Sequence, residues 1–283
     1  MSLQFRRPSR LIAILLATAL MLLAYSVLLE PIWIEATQHE AWFKRLPTEF
    51  DGLVVAHISD LHMTSYGLRE RRLLAVLEKA KPGVVVMTGD FISTGSDRVA
   101  VQQFLKDLQR LSPPFGLWAV LGNHEHSNRL AEDGGGMRRF FNEAGVSLLV
   151  NEAGRIGRGV DTLTFIGVDD PYSGRDRLWE ALKGMQRTPF AILLSHSPEI
   201  FFKADLARID LVLAGHTHGG QVRLPWFGPL WVPAGSESYA AGWFAGESAR
   251  MFVTRGVGTS VLPVRFFCRP EVALITLKRG TGE

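Results

Sequence analysis

Five short clusters in this chain hold side chains able to bind metal ions: Asp60-x-His62, Gly89-Asp90, Gly122-Asn123-His124-Glu125, His196 and Gly215-His216-x-His218. Each sets carboxylate, amide or imidazole donors beside a glycine or an apolar run. A donor set without thiolates suits Mn, Fe, Zn or Co better than a thiolate-rich zinc or iron–sulfur site. Two such ions need one bridging carboxylate, and terminal ligands that leave room for a water or hydroxide between them. One Asp-x-His pair is common by chance, and Asp60 or His196 alone reads as a turn former or a structural residue. Five clusters in this order, each at the end of an apolar run, read as one two-metal site suited to hydrolysing phosphate esters.

A set of strand ends must position these residues. Residues 53–59 are a short, mostly apolar run that ends on Asp60. Leu73, Leu74, Leu77 and Ala80 then repeat at helical spacing until Pro82-Gly83 stops them. Residues 84–88 form a second buried strand ending at Gly89-Asp90. An amphipathic helix over 99–111 leads to a strand over 116–121 that ends at Gly122-Asn123-His124. This alternation predicts a parallel α/β layer. Later runs at 162–168, 190–194 and 211–214 lead into Asp169-Asp170, Ser195-His196 and Gly215-His216, and residues 251–254 and 272–277 read as strands closing a second sheet. Ligands of open α/β sheets bind beyond the carboxyl ends of the strands, so clusters far apart in sequence can converge there.

The 283 residues suit one large domain plus an appendage, and 21% charged residues mark a globular chain rather than a disordered one. A formal charge of +3 does not mark a nucleic-acid binder, and part of it sits in Arg6, Arg7 and Arg10. The single cysteine, Cys268, excludes an internal disulfide and reads as a small buried hydrophobe. Residues 11–29 carry no charge, and such a stretch reaches roughly 28 Å as a helix, enough to cross a bilayer core of about 30 Å. With three arginines before it and Glu30 after it, the positive-inside rule places residues 1–10 in the cytoplasm and the rest beyond the inner membrane. That reading is a single-pass signal anchor. The alternatives are a cleaved or twin-arginine signal and a buried soluble helix, and no Ala-x-Ala-like cleavage site follows Leu29. Residues 30–49 read as a connector, and residues 50–280 as the catalytic domain.

With these residues in place, the chain closely resembles the calcineurin-like metallophosphoesterases from about residue 50 to 275, with all five blocks intact. Within them it is similar to the membrane-anchored bacterial branch typified by YkuE and YaeI. Gly219-Gly220-Gln221, Thr254-Arg255-Gly256-Val257-Gly258 and Leu262-Pro263-Val264-Arg265 carry that part of the likeness. The resemblance implies an α/β fold of two facing β-sheets flanked by helices, behind an N-terminal transmembrane helix, with two divalent ions at the sheet edge. It implies that Asp90 bridges the ions. Asp60, His62 and His218 would complete one shell, and Asn123, His196 and His216 the other. A metal-bridging hydroxide would attack phosphorus while His124 protonates the leaving oxygen or stabilises the transition state. The substrate would be a phosphodiester, a phosphomonoester or a pyrophosphate. The branch's relation to UDP-2,3-diacylglucosamine pyrophosphatases adds a lipid-linked or nucleotide–sugar pyrophosphate to the expectations.

Several residues keep two readings. Glu125 and Asp97 are both possible orienters of the His124 ring. His126 is a substrate contact or a solvated loop residue. Arg223 and Arg255 grip an anionic group or form surface salt bridges. Gly219-Gly220 is expected to let the backbone pass close to the ions. Residues 225–231 and Trp243-Phe244 are hairpin core, or an aromatic rim that meets a bilayer or a lipid tail. An inert metal-binding scaffold would have lost a ligand or His124, and none is missing. A nuclease would need a basic groove with interleaved aromatics, and the sequence has none.

Overall fold

The computed structural model describes residues 10–93, 95, 97–126, 136–183 and 190–282. A helix over Arg10–Ala24 (α1) continues through helical turns at Tyr25–Leu29 and Glu30–Ile32. The first half then runs β1 (Glu35–Phe43), β2 (Val54–Ile58), α2 (Leu68–Ala80), β3 (Val84–Thr88), α3 (Arg98–Arg110), β4 (Leu117–Val120), α4 (Asn123–His126), α5 (Gly136–Asn142) and β5 (Val146–Leu148). The second half holds β6 (Glu152–Arg158), β7 (Asp161–Gly167), α6 (Leu178–Ala181), β8 (Ala191–Leu194), α7 (Phe201–Leu206) and β9 (Leu211–Ala214). It closes with β10 (Arg223–Leu224), β11 (Gly228–Pro229), β12 (Gly242–Ala245), β13 (Arg250–Val253) and β14 (Glu271–Arg279).

Two six-stranded sheets result, in the orders β1-β14-β2-β3-β4-β5 and β12-β13-β9-β8-β7-β6, with β10 and β11 as a separate hairpin. Strand alternation explains why they stack. On β3, Val84 and Val86 point into the core between the sheets, beside Phe165, Ile192 and Leu213 of the second sheet. Val85 and Met87 point the other way, towards Leu73 and Leu77 of α2 and Phe104 and Leu108 of α3. The far face of the second sheet buries Leu193 and Val212 against Leu178 of α6 and Phe201 of α7. The layers are helix, sheet, sheet, helix. β2 to β5 and β7 to β9 run parallel within their sheets, so their carboxyl ends collect at shared edges.

The structure revises three sequence expectations. The stretch read as a connector holds β1, which pairs in parallel with β14 over nine residues. Its alternation of exposed polar and buried apolar residues (Gln38, Glu40 against Ala41, Phe43) is that of a half-covered edge strand. Residues 272–277 enter the first sheet, where β14 runs antiparallel to β2, and do not close the second. The segment over 225–231 is not core: Trp226 is 100% exposed and Phe227 83%. Trp243 is half-buried, with its ring centroid 5.1 Å from that of Phe252 and the Arg250 guanidinium 4.7 Å over it.

Among the described residues one helix, the 23 residues from Arg10 to Ile32, is long and apolar enough to cross a membrane, a character that a signal sequence near the N-terminus shares. Arg6 and Arg7 lie outside the described residues. Cys268 is buried, and burial pushes its thiol up from the usual range.

Candidate metal centre

Each cluster begins where a strand ends, and the backbone there is bent into a conformation that side chains resist. Asp60, His62, Asp90, His216 and His218 all have positive φ, between 42° and 70°. Such strain in non-glycine residues persists where the surroundings over-determine it, and it gathers at functional sites. Here backbone bonds between the loops supply the constraint. Asp60 N–H donates to the Gly89 carbonyl at 3.0 Å and His62 N–H to that of Asp90 at 2.9 Å, so the loops after β2 and β3 are zipped together. Across the sheets, His216 N–H lies 3.1 Å from both oxygens of Asp60. Gly122 and Gly215 allow this approach: an added Cβ would come within 2.2 Å of an Asp90 oxygen and 2.0 Å of the Ser59 hydroxyl.

The side chains then converge. One Asp90 oxygen is 3.4 Å from His62 Nε2 and 3.3 Å from His196 Nε2, so this carboxylate lies between two groups of donors. On one side, His62 Nε2 faces His218 Nε2 at 3.0 Å, and Asp60 lies 3.5 Å from His218. On the other, His196 Nε2 is 3.0 Å from His216 Nδ1 and 3.1 Å from Asn123 Oδ1. The Thr88 carbonyl accepts from His196 Nδ1 at 2.8 Å, so that when the ring is neutral it is Nε2 that carries the lone pair and points inward. The Ser93 hydroxyl lies 2.9 Å from His62 Nδ1 and steadies that ring.

The electrostatics suit cations. Burial pushes His62 down to about 4 and His216 to about 3, and it holds His218 well below the usual imidazole range. These rings are therefore neutral ligands at neutral pH. Burial opposes the charge on Asp90, yet the His196, His62 and His124 imidazoles outweigh it and hold its carboxyl well below the usual range. Burial lifts Asp60 to about 6, and against its own burial His196 is raised to about 10 by the charge on Asp90. Two neutral nitrogens that face each other at 3.0 Å can share one proton at most, whereas a cation between them satisfies both lone pairs. His216 Nε2 and His218 Nδ1 are buried without any hydrogen-bond partner. Three groupings can hold an ion: Asp60, His62 and His218; His62, Asp90 and His124; and Asp90, His196 and His216. The residues fit a pair of divalent cations.

The family model for the calcineurin-like phosphoesterases matches residues 53–220, which span every one of these donors. The chain belongs to that family. The metallophosphoesterase YkuE of Bacillus subtilis is 31% identical over 90% of this chain and 89% of its own length. The phosphodiesterase YaeI of Escherichia coli is 28% identical over 88% and 90%. A UDP-2,3-diacylglucosamine pyrophosphatase of Chlamydia trachomatis, LpxG, is 26% identical over 87% and 90%. This metallophosphoesterase is thus a hydrolase with Asp and His clusters able to bind metal.

The remaining candidates fall in different places. His124, 32% exposed, stands at the mouth: its N–H donates to Asp90 at 2.9 Å, and its ring meets that of His62 edge-on at 4.6 Å. His126 is not a solvated loop residue, because its Nε2 contacts the Asp169 carboxylate at 2.5 Å. Arg223 donates to the Gly219 carbonyl at 3.0 Å. Arg255 is held by Glu35 at 2.8 Å and Glu271 at 3.2 Å, the salt-bridging reading, with its side chain largely covered. Glu125 and Asp97 are engaged with backbone rather than with the His124 ring: Asp97 caps α3 by accepting from Val99 N–H. Glu125 accepts from the N–H groups of Gly122, Asp90, Phe91 and Ile92 and so clamps two strand ends together. Burial, then Asp90, pushes it up to about 7, against the pull of those N–H groups. Gly219 and Gly220 make room for Arg255, Cys268 and Pro229. Sequence reasoning missed Tyr172, whose ring lies 4.6 Å from that of His216, and Arg265, which is fully buried and donates to the carbonyls of Gly258, Cys268, Arg255 and Gly256. Arg265 stood in a segment that carries the family likeness without a role of its own, and no local pattern links residue 172 to the centre.

Proposed function

We propose that this metallophosphoesterase is a membrane-anchored dimetal enzyme that hydrolyses a phosphodiester, phosphomonoester or pyrophosphate, with its catalytic domain on the extracytoplasmic side. The observation that carries the reading is the Asp90 carboxylate set 3.4 Å and 3.3 Å from imidazoles of two separate donor groups. Asp60, His62 and His218 would hold one ion, Asn123, His196 and His216 the other, with Asp90 shared between them. Such ions would supply neutralisation of phosphate oxygens and a lowered pKa for a water. The chain's own residues do the rest. His124, fixed through its N–H by Asp90 and open to solvent on one side, presents a ring nitrogen that gives its proton to the departing ester oxygen. Tyr172 packs on His216 and keeps that ring oriented. His126, paired with Asp169, borders the same mouth.

The apolar helix from Arg10 to Ile32 supports retention at a membrane. LpxG acts, by its name, on a lipid-bearing pyrophosphate, which makes lipid-linked phosphate esters the first substrates to try. Metal-supplemented hydrolysis of p-nitrophenyl phosphate and bis-p-nitrophenyl phosphate tests the reading and separates monoesterase from diesterase preference. Turnover of at least one, abolished by a chelator and restored by Mn, Fe, Zn or Co, is the expected result. Absence of turnover with every metal would leave an inert scaffold.

A further inference from the structure

Beside the metal centre lies an apolar cavity of about 410 Å³, within the roughly 300–1,000 Å³ of small-ligand sites. Its walls include Val222, Leu230, Trp231, Leu262 and Val264, and one wall is His218 itself. The mouth is apolar too: Trp231 is 67% exposed, Val261 94% and Leu262 63%. Trp226 and Phe227 of the hairpin, and Phe267, are exposed as well. Large apolar side chains gathered in the open on two adjoining segments mark an interaction site rather than ordinary protein surface.

The structure also joins this surface to the apolar N-terminal helix. Arg265 N–H donates to the Ser26 carbonyl at 2.9 Å. The Glu30 carboxylate, fully buried, accepts from Phe267 N–H at 3.1 Å and Cys268 N–H at 2.5 Å. Val222, which leads into β10, bridges to Phe266 of the same segment. The buried Arg265 guanidinium fixes the loop from inside. The end of the helix, the hairpin and the cavity mouth are therefore held as one piece. Around the helix exit, the Arg269 guanidinium lies 3.7 Å over Trp33, and Arg72 donates to the Ile32 carbonyl at 2.7 Å. Indole and cationic side chains at the end of an apolar helix mark a bilayer's headgroup level.

We propose that the cavity beside His218 takes a hydrocarbon chain of a bilayer phospholipid whose phosphate ester reaches the metal centre, and that residues 223–231 and 260–267 face the membrane as its mouth. This rests on the phosphoesterase reading and names the substrate class of that site: a phosphate ester carrying a long alkyl or acyl chain. Charge at the centre and hydrocarbon in the adjoining cavity match the two halves of such a molecule, and the docked helix keeps the mouth at the level where the lipid lies.

The test needs no turnover. The full chain is reconstituted in phosphatidylcholine nanodiscs containing phosphatidic acid with a diazirine at the end of one acyl chain, then photolysed and mapped by mass spectrometry. Label on Leu230, Trp231 or Val264, as well as on residues 10–32, is the expected result. Leu262→Glu sets a charge in the exposed mouth, and Val264→Trp fills the cavity. Each should lower wall labelling at least fivefold and leave labelling of the helix unchanged. Should the bulkier variant fail to fold, the exposed Leu262→Glu decides alone. Label confined to the helix, label only on Trp226, Phe227 and Phe267, or wall label that neither variant changes would each overturn the proposal. A chain that hydrolyses soluble esters without wall label would lose the subsite and keep its function.

Discussion

The ends of β3 and β4 and the rim over residues 223–231 flank the same metal-centre histidines, but they are stabilised differently. At the strand ends the two carboxylates are buried and committed: Glu125 holds four backbone N–H groups, and Asp90 lies among three imidazoles. At the rim, Trp226, Phe227 and Trp231 stand in solvent, attached through a two-pair hairpin and the Val222–Phe266 bridge. The first region is rigid because leaving a buried polar group unpaired costs about 1–3 kcal/mol each. The second keeps its apolar side chains outside, where they add nothing to the isolated fold. The chemistry therefore sits where the fold cannot yield, and contact with a partner phase sits where the fold does not need the residues.

His124→Ala breaks the comparison hardest on the strand-end side. It should lower kcat by roughly 10²–10⁴-fold, with metal content unchanged by elemental analysis, whereas Trp226→Ser with Phe227→Ser should leave turnover of a soluble ester at the wild-type rate. Stability sharpens the contrast. Phe165, fully buried and tilted against Trp118 at 5.2 Å between centroids, should cost about 3–5 kcal/mol when cut to Ala. The double serine variant at the rim should stay within about 0.5 kcal/mol in the same urea titration. A core-like loss there would return those aromatics to the hairpin interior.

The smallest effect concerns pH. His57 lies between the sheets with Nε2 2.8 Å from the Thr88 hydroxyl, and burial pushes it down to about 3. The unfolded chain, with its histidine near 6.5, therefore binds the extra proton between those two values, and stability falls as pH drops through that window. From pH 6.5 to 5 this one group should cost about 2 kcal/mol. His57→Leu should flatten the acid limb of chelator-treated protein by that amount, and a slope equal to wild type would show that His57 is not held neutral.

The metal centre was legible because its donors lie at strand ends marked by local patterns: an apolar run, a glycine, then Asp or His. β2, β3, β4, β8 and β9 were all found that way, and so was their convergence. β1 and the place of β14 were not legible, because residues 35–43 carry the alternating pattern of an edge strand, residues 271–279 are buried almost throughout, and neither strand shows a local sign of its partner. Glu125 was seen as one of two possible orienters of the His124 ring, since nothing in a sequence tells a carboxylate that orients a ring from one that caps two loops. Exposure of residues 225–231 was hidden as well. Pro, Trp, Phe and Leu around a turn read alike whether they face a core or a bilayer.

The central claim is that Asp90 ties two metal groups into one site, and metal stoichiometry tests it most directly. Elemental analysis of the full chain after reconstitution with Mn, Fe, Zn or Co should give two ions per chain for the wild type. Asp90→Asn should bind no more than one, lose turnover and keep its fold. One ion in the wild type, or two ions with full activity in Asp90→Asn, would contradict the account.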